Sequence, residues 1–436
     1  MKVLKFGGTS IGTAERFKEV AKLISNDEKK IVVLSAMSGT TNSLVEIAEH
    51  LYTKDNDTAI KLIDKLEKSY SKVVDELYSD KPIKQKGFEL IKSHFDYLRT
   101  FTQDLFTAYE ERAVLAQGEL ISTAMFHNYL LEQKVDAVLL PALNFMRIDT
   151  NNEPDNYYIK ENLNRELNQY PDSNLFITQG YICRNLYGEI DNLKRGGSDY
   201  SASLIGVAVE AEEIQIWTDV NGFHYNDPRF VDDTQPIPRL SFDEAAELAY
   251  FGAKILHPSS VFPAKESNIP VRLKNTLNPN EPGTIISSKA KGKGIKAIAA
   301  KDGITAVKIK SGRMLLAYGF IRKVFEVFER YKTPIDMITT SEIAVSVTID
   351  DKSQLPKIVE ELKNYGFVEV NEQMTIICLV GDNIIEQKGY INEVFEALKN
   401  FSIRMISYGG SRHNISILVE SEDKKQALIA LNQLFR

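Results

Sequence analysis

MKVLKFGGTS, residues 1–10, sets a lysine, two glycines and two hydroxyls directly behind what reads as the first strand. The apolar alternation of Val3-Leu4-Lys5-Phe6 predicts that strand, and Gly7-Gly8 allows left-handed backbone and close approach. Phe17, Val20, Ala21 and Ile24 then recur at the spacing of a helix face. Strand, glycine turn and helix is an arrangement that holds phosphate, with backbone N–H groups aimed at the anion and a cation beside them. Here, however, the lysine precedes the glycines, and the Walker pattern G-x-x-x-x-G-K-[ST] occurs nowhere in the chain. On this stretch alone, an ordinary tight turn explains the residues equally well.

The rest of the chain narrows the choice. Its 436 residues exceed what one core holds, so two or three domains are expected. Hydrophobic residues at 43% and charged residues at 26% are those of an ordinary globular protein. A formal net charge of −7 argues against a general binder of nucleic acid or anionic membrane. Cys183 and Cys378 lie in apolar, strand-like sequence and read as core thiols, with no CxxC between them. No apolar run approaches the ~18 residues of a membrane span, and Gly7-Gly8 interrupts any signal-peptide core, so a cytoplasmic protein is expected.

Along the chain, IVVLSA (31–36) reads as a buried parallel strand ending in the hydroxyl-rich loop MSGTTN (37–42). From about 44 to 133 the signal is helical, with apolar stripes at Leu62, Leu66, Val73 and Leu77, then Leu90, Phe95, Leu98, Phe101 and Leu105. Strands resume at 135–141, 175–183 and 214–222. Polar loops at successive strand ends point to a ligand crevice of the open α/β kind. Residues 275–294, rich in Pro, Gly, Asn and Lys, read as a linker whose KAKGKG is a solvated basic run. Beyond it, 319–341 and 389–410 form an internal repeat, with Gly319, Val324-Phe325-Glu326 and Met337-Ile338 matching Gly389, Val394-Phe395-Glu396 and Met405-Ile406. Two tandem α/β units without a catalytic constellation read as binding or assembly modules.

Chemistry gathers in the N-terminal part. Lys5 to Ser10 and Ser38 to Asn42 are two clusters, and LKRGGSDYSAS (193–203) is a third. In the third, Arg195, Gly196, Gly197 and Ser198 offer a guanidinium fork, exposed backbone donors and a hydroxyl at one helix start, with Asp199 in the first turn. A fourth, TDVNGFHYNDPR (218–229), holds Thr218, Asp219, Asp227 and Arg229 around a turn. Glu119, in apolar company, is either a buried structural acceptor or a partner for a substrate ammonium. Lys254 follows a helix opened by Ser241 to Glu244 and closed near Gly252. The six histidines show no HExxH and no paired ligand spacing, and no GxSxG is present, so no protein metal site or nucleophile is expected. Anion binding beside carboxylates points to phosphoryl transfer, with Mg²⁺ bridging phosphate oxygens and a polar small molecule as acceptor.

KFGGTS, RGGSDYSAS, TDVNGFHYNDPR, FGAKILHP and ITTSE, in that order, resemble the aspartokinases of the amino-acid kinase family, and the resemblance covers essentially the whole chain. It implies an α/β amino-acid kinase fold, a central mostly parallel sheet flanked by helices, followed by two ferredoxin-like α+β ACT domains. The implied boundaries are 1–275 for the kinase domain, 276–294 for the linker, 304–375 for the first ACT domain, and 295–303 with 376–436 for the second. The implied reaction uses ATP with Mg²⁺ carried by the nucleotide, and L-aspartate, giving 4-phospho-L-aspartate and ADP. By resemblance, Lys5 and Asp199 are catalytic. Thr41, Glu119, Arg195, Gly196, Gly197 and Ser198 hold aspartate, Glu119 through the α-ammonium. Lys5, Gly7, Gly8, Ser10, Thr218, Asp219, His224, Arg229, Lys254 and Ile255 hold the nucleotide, with Gly7 and Gly8 presenting backbone N–H groups.

Met314, Ala317, Ile335, Asp336, Thr340, Ser341 and Glu342 match an amino-acid effector site, with lysine the preferred effector and threonine, alone or with lysine, the alternative. Two departures stand out: His224-Tyr225 replaces an aromatic followed by threonine, and Ala317 stands where some relatives carry serine. The chain ends after the second ACT unit, which leads to the expectation of a monofunctional enzyme. A homo-oligomer formed through the ACT domains is expected, without nucleic-acid or membrane partners. The competing readings are a kinase of glutamate or N-acetylglutamate, and a catalytically silent amino-acid sensor.

Overall fold

The computed structural model describes residues 1–103, 105–193, 196–252, 255–288, 294–311 and 318–435. The chain forms two compact units. The first comprises 1–222, 238–242 and 255–289; the second comprises 223–237, 243–254 and 290–436. Among the described residues no helix is long and apolar enough to cross a membrane.

The first unit is built on the strands β1 (Lys2–Phe6), β2 (Lys30–Leu34), β3 (Val138–Leu140), β4 (Leu175–Gln179), β5 (Ile182–Arg184), β6 (Ile190–Asn192), β7 (Glu213–Thr218), β8 (Arg239–Leu240), β9 (Val271–Asn275) and β10 (Thr284–Ile286). Eight of them form one sheet in the order β3-β4-β2-β1-β7-β9-β10-β8, while β5 and β6 form a separate hairpin. β3, β4, β2, β1, β7 and β9 run parallel, and β10 is antiparallel to β9. All five residues of β2 are buried, as a strand covered on both faces requires. Even Lys30 is buried there, its ammonium donating to the Ile24 and Asn26 carbonyls at the end of the preceding helix.

The helical region resolves into helices Thr40–Tyr52, Asn56–Leu77, Lys81–Thr100 and Ala108–Glu132. Val73, Leu77, Phe95 and Leu98 are buried in the core that backs β1 and β2, and Leu62, Leu66, Leu90 and Phe101 pack against it. Leu105 differs from the expected stripe and is 74% exposed, because the helix ends at Thr100 and the chain turns before the Thr107 capping box of the next helix. The 276–294 stretch also differs from a plain linker, since β10 lies within it and Ile286 is fully buried. The KAKGKG run falls on 289–294, of which only Gly294 is among the described residues. Both cysteines are buried and free.

The second unit holds β11 (Gly294–Lys310), β12 (Ile338–Thr340), β13 (Ala344–Ile349), β14 (Phe367–Asp382), β15 (Met405–Tyr408) and β16 (Asn414–Glu420). They form an antiparallel sheet in the order β12-β13-β11-β14-β16-β15. β11 and β14 run through both halves, with register irregularities around Lys301 to Ala306. On one side of that break Ile298, Ile377, Leu379, Val394 and Ile415 share a core; on the other Val307, Ile309, Val324, Val345 and Ile358 share another. The repeated helices Phe320–Arg330 and Tyr390–Ala397 each begin directly after a left-handed glycine, Gly319 (φ 80°) and Gly389 (φ 95°).

Segments 223–237 and 243–254 belong to this unit, although the sequence places them within 1–275. Their partners explain it. Asn226 Nδ2 donates to the Leu428 carbonyl at 2.9 Å, Tyr225 stacks on Phe435 at 5.2 Å, and Val231 joins the core.

Candidate active site

The C-terminal ends of four neighbouring parallel strands, β4, β2, β1 and β7, build the site, where an open α/β sheet holds its ligands. Lys5, near the end of β1, has a side chain only 12% exposed, and its ammonium stands 2.6 Å from Asp199 Oδ1, itself 16% exposed. Asp199 lies in the first turn of helix Gly197–Ala208, which starts from left-handed Gly196 (φ 68°) and Gly197 (φ 47°). Gly180, just past β4, lets that helix approach: a Cβ there would lie 2.4 Å from Ser198 Cβ. Tyr181, which no sequence pattern singles out, is left-handed itself (φ 64°), and its N–H donates to Ser201 Oγ at 2.8 Å. That bond ties the end of β4 to the helix carrying Ser198 and Asp199.

The glycine turn after β1 is held from both sides. Gly7 N–H donates to the Trp217 carbonyl at 3.3 Å, extending the β1–β7 ladder. This donor is therefore spent inside the protein, a difference from the expectation that both glycines present N–H groups outward. A Cβ on Gly8 would lie 2.8 Å from the Ala36 carbonyl, so only glycine fits where the turn crosses the β2 loop. Ser10 is buried, its hydroxyl 2.7 Å from that of Thr276, a partner with no local signal in the sequence.

Glu119 comes from helix Ala108–Glu132 and is 3% exposed. Its Oε1 accepts the Ala36 N–H at 3.1 Å, while Oε2 has no hydrogen-bond partner among the described residues. Gly118 brings the helix this close, since a Cβ there would sit 2.7 Å from Ala36 Cβ. Burial pushes the Glu119 carboxyl up to about 8, against the opposing pull of the Ala36 N–H and the Lys5 charge. An incoming ammonium would satisfy both the open oxygen and the suppressed charge.

The other expected residues fall as follows. Thr41 is exposed in the first turn of helix Thr40–Tyr52, and Ser198 is buried beside Asp199. Thr218, ending β7, donates its hydroxyl to exposed Asp219 at 3.1 Å. Ile255 is half-buried. His224 and Arg229 belong to the second unit. Burial lowers the His224 pKa, and the exposed Arg229 guanidinium is paired with Asp227 at 2.6 Å. Ile335, Asp336, Thr340, Ser341 and Glu342 also lie in the second unit, the last three exposed. Arg195, Lys254, Met314 and Ala317 lie outside the described residues.

A cation and a carboxylate pair at the strand ends of a parallel sheet, and a buried acid there keeps an oxygen without a partner among the described residues. This arrangement suits transfer of an anionic group to an amino acid. Comparison with known proteins agrees. Residues 1–275 match the model of the amino acid kinase family, and 377–435 match an ACT domain. Lysine-sensitive aspartokinase 3 of Escherichia coli (strain K12) is 34% identical, over 99% of this chain and 98% of that protein. The structure of E. coli aspartokinase III in complex with lysine and aspartate, called its T-state, is 33% identical and matches with a TM-score of 0.85 over the whole of both chains. The R-state of that protein, with aspartate and ADP, is 32% identical and matches at 0.82 with the same coverage. The chain belongs to the amino acid kinase family, and the relatives that span its full length place it among the aspartokinases.

Proposed function

We propose that this protein is an ATP-dependent aspartate kinase that transfers the γ-phosphoryl group of ATP to the β-carboxylate of L-aspartate, giving 4-phospho-L-aspartate and ADP. The observation that carries this reading is the Lys5–Asp199 pair at the end of β1. Lys5 meets the γ-phosphoryl oxygens and stabilises the charge that spreads over them in the transition state. Asp199 holds the lysine in place before the nucleotide arrives. Gly8 presents its backbone N–H to the phosphate. Glu119 Oε2 takes the aspartate α-ammonium, Arg195 a substrate carboxylate, and Thr41 and Ser198 complete the acceptor pocket. Thr218 and Asp219 serve the nucleotide.

The β-carboxylate is ionised at neutral pH and is already a nucleophile, so the step needs no general base. Asp199, the carboxylate beside Lys5, is the residue that would face Mg²⁺ carried on the phosphates once Lys5 pairs with the nucleotide. Such an ion would supply neutralisation of the phosphate charge. Lysine, binding at Asp336 and its neighbours in the ACT modules, inhibits the enzyme, which works in the cytoplasm as a homo-oligomer paired through those modules.

The test is ADP release measured with aspartate, glutamate and N-acetylglutamate as acceptors, repeated with lysine, threonine and both. Turnover with aspartate, suppressed by lysine, is expected. Preference for either other acceptor, or no turnover with any, contradicts the assignment.

A further inference from the structure

Asp336 is already occupied. Its side chain is 2% exposed, and Oδ1 takes two donors: the Lys301 ammonium at 2.7 Å and the Tyr250 hydroxyl at 3.0 Å. Oδ2 is buried and has no hydrogen-bond partner among the described residues. Lys301 also reaches Asp350 Oδ2 at 2.8 Å, on a carboxylate that is 42% exposed, and its ammonium lies 4.7 Å from the centre of the Tyr250 ring. The position of Lys301 is unusual, because it sits on β11 where the register with β14 breaks between the two modules.

A carboxylate this deeply buried is costly without a cation. Lys301 therefore stabilises the buried carboxylate, and any ligand ammonium that seeks Oδ1 must exchange with it. We propose that Lys301 is an internal competitor for the effector's ammonium at Asp336: the ammonium displaces Lys301, which withdraws to Asp350, and gains the unpartnered Oδ2 as a further acceptor. This inference rests on Asp336 belonging to the effector site. It adds that effector affinity is set by a difference between two cations, not by the Asp336 contact alone. Tyr250 shares the contested oxygen and ends helix Phe242–Tyr250, so the exchange is felt by that helix. The helix is fixed to the same unit by Glu244, 2.8 Å from Lys296, and by Glu247, which accepts the Ser411 hydroxyl at 2.8 Å.

Isothermal titration of the full-length protein with L-lysine, alongside inhibition of its kinase activity, tests the idea. Lys301→Met is expected to bind lysine about tenfold more tightly, and Lys301→Arg, which keeps a cation, to return affinity towards wild type. Asp350→Asn, at a partly exposed position, removes the seat to which Lys301 retreats. It is expected to weaken lysine binding several-fold in the wild-type background and to have no effect in the Lys301→Met background. The opposite signs separate competition from general damage to the site. If wild type binds lysine but Lys301→Met binds it no more tightly, or if Asp350→Asn acts equally in both backgrounds, the competitor role is overturned while the effector site stands. If wild type binds no lysine, the effector reading fails and takes this inference with it.

Discussion

The Lys5 ammonium and the Asp199 carboxylate stand 2.6 Å apart, although one lies near the end of the first strand and the other in the first turn of a helix late in the same unit. Both side chains are largely shielded from water, which strengthens the pair. Replacing Asp199 by Ala should leave the fold intact and lower kcat by about 10²-fold, as expected when an electrostatic site loses its organiser. Steady-state kinetics with circular dichroism as the folding control decide this. An unchanged kcat would remove Asp199 from the machinery.

Glu119 makes the enzyme respond to pH. Its carboxyl sits at about 8 in the folded state, against 4.5 for the free side chain, because burial disfavours the charge. The folded state thus binds the extra proton, so this group lowers stability progressively as pH rises from about 4.5 to about 8, and the penalty is complete above that. Glu119→Gln should remove that loss. Its stability relative to wild type should rise across the same window by up to a few kcal/mol, at about 1.4 kcal/mol for each tenfold difference in proton affinity between the folded and unfolded chain. Urea denaturation at pH 5 and pH 8.5 reads it directly.

Substrate binding carries the same signature. An aspartate ammonium at Oε2 favours the ionised carboxyl, so binding at pH 7 should expel up to about one proton per site. Calorimetry in buffers of different ionisation enthalpy measures this release. Glu119→Gln should release none and raise the KM for aspartate far more than that for ATP. Equal proton release in wild type and variant would place the ammonium elsewhere.

Gly180→Ala tests how the site is assembled. The new methyl would meet Ser198 Cβ at 2.4 Å and Oγ at 2.5 Å, so the start of helix Gly197–Ala208 must shift. A stability loss of about 1–3 kcal/mol is expected from such overpacking. Activity should fall further than that loss explains, because Asp199 moves with the helix. Thermal melting and kcat measured on the same samples separate the two effects.

Much of this site is legible in sequence because its parts sit in local patterns. Lys5 precedes a glycine turn, Asp199 follows two glycines at a helix start, and Glu119 is a carboxylate among apolar residues. The repeat of Gly319 and Gly389 likewise announces two related modules, and both glycines are left-handed helix starts. What is not legible depends on distant partners. Nothing near 223–237 signals that Asn226 and Tyr225 find Leu428 and Phe435, or that Lys301 finds Asp336. The spent N–H of Gly7 is hidden for the same reason, since its acceptor, Trp217, lies on a strand that only the folded sheet brings alongside.

The most direct test is a rapid-quench measurement of phosphoryl transfer by Lys5→Ala, saturated with ATP and aspartate. The account predicts transfer slowed by about 10²–10³-fold, with ADP affinity little changed because the lost cation serves only the terminal phosphate. Transfer at the wild-type rate would contradict it.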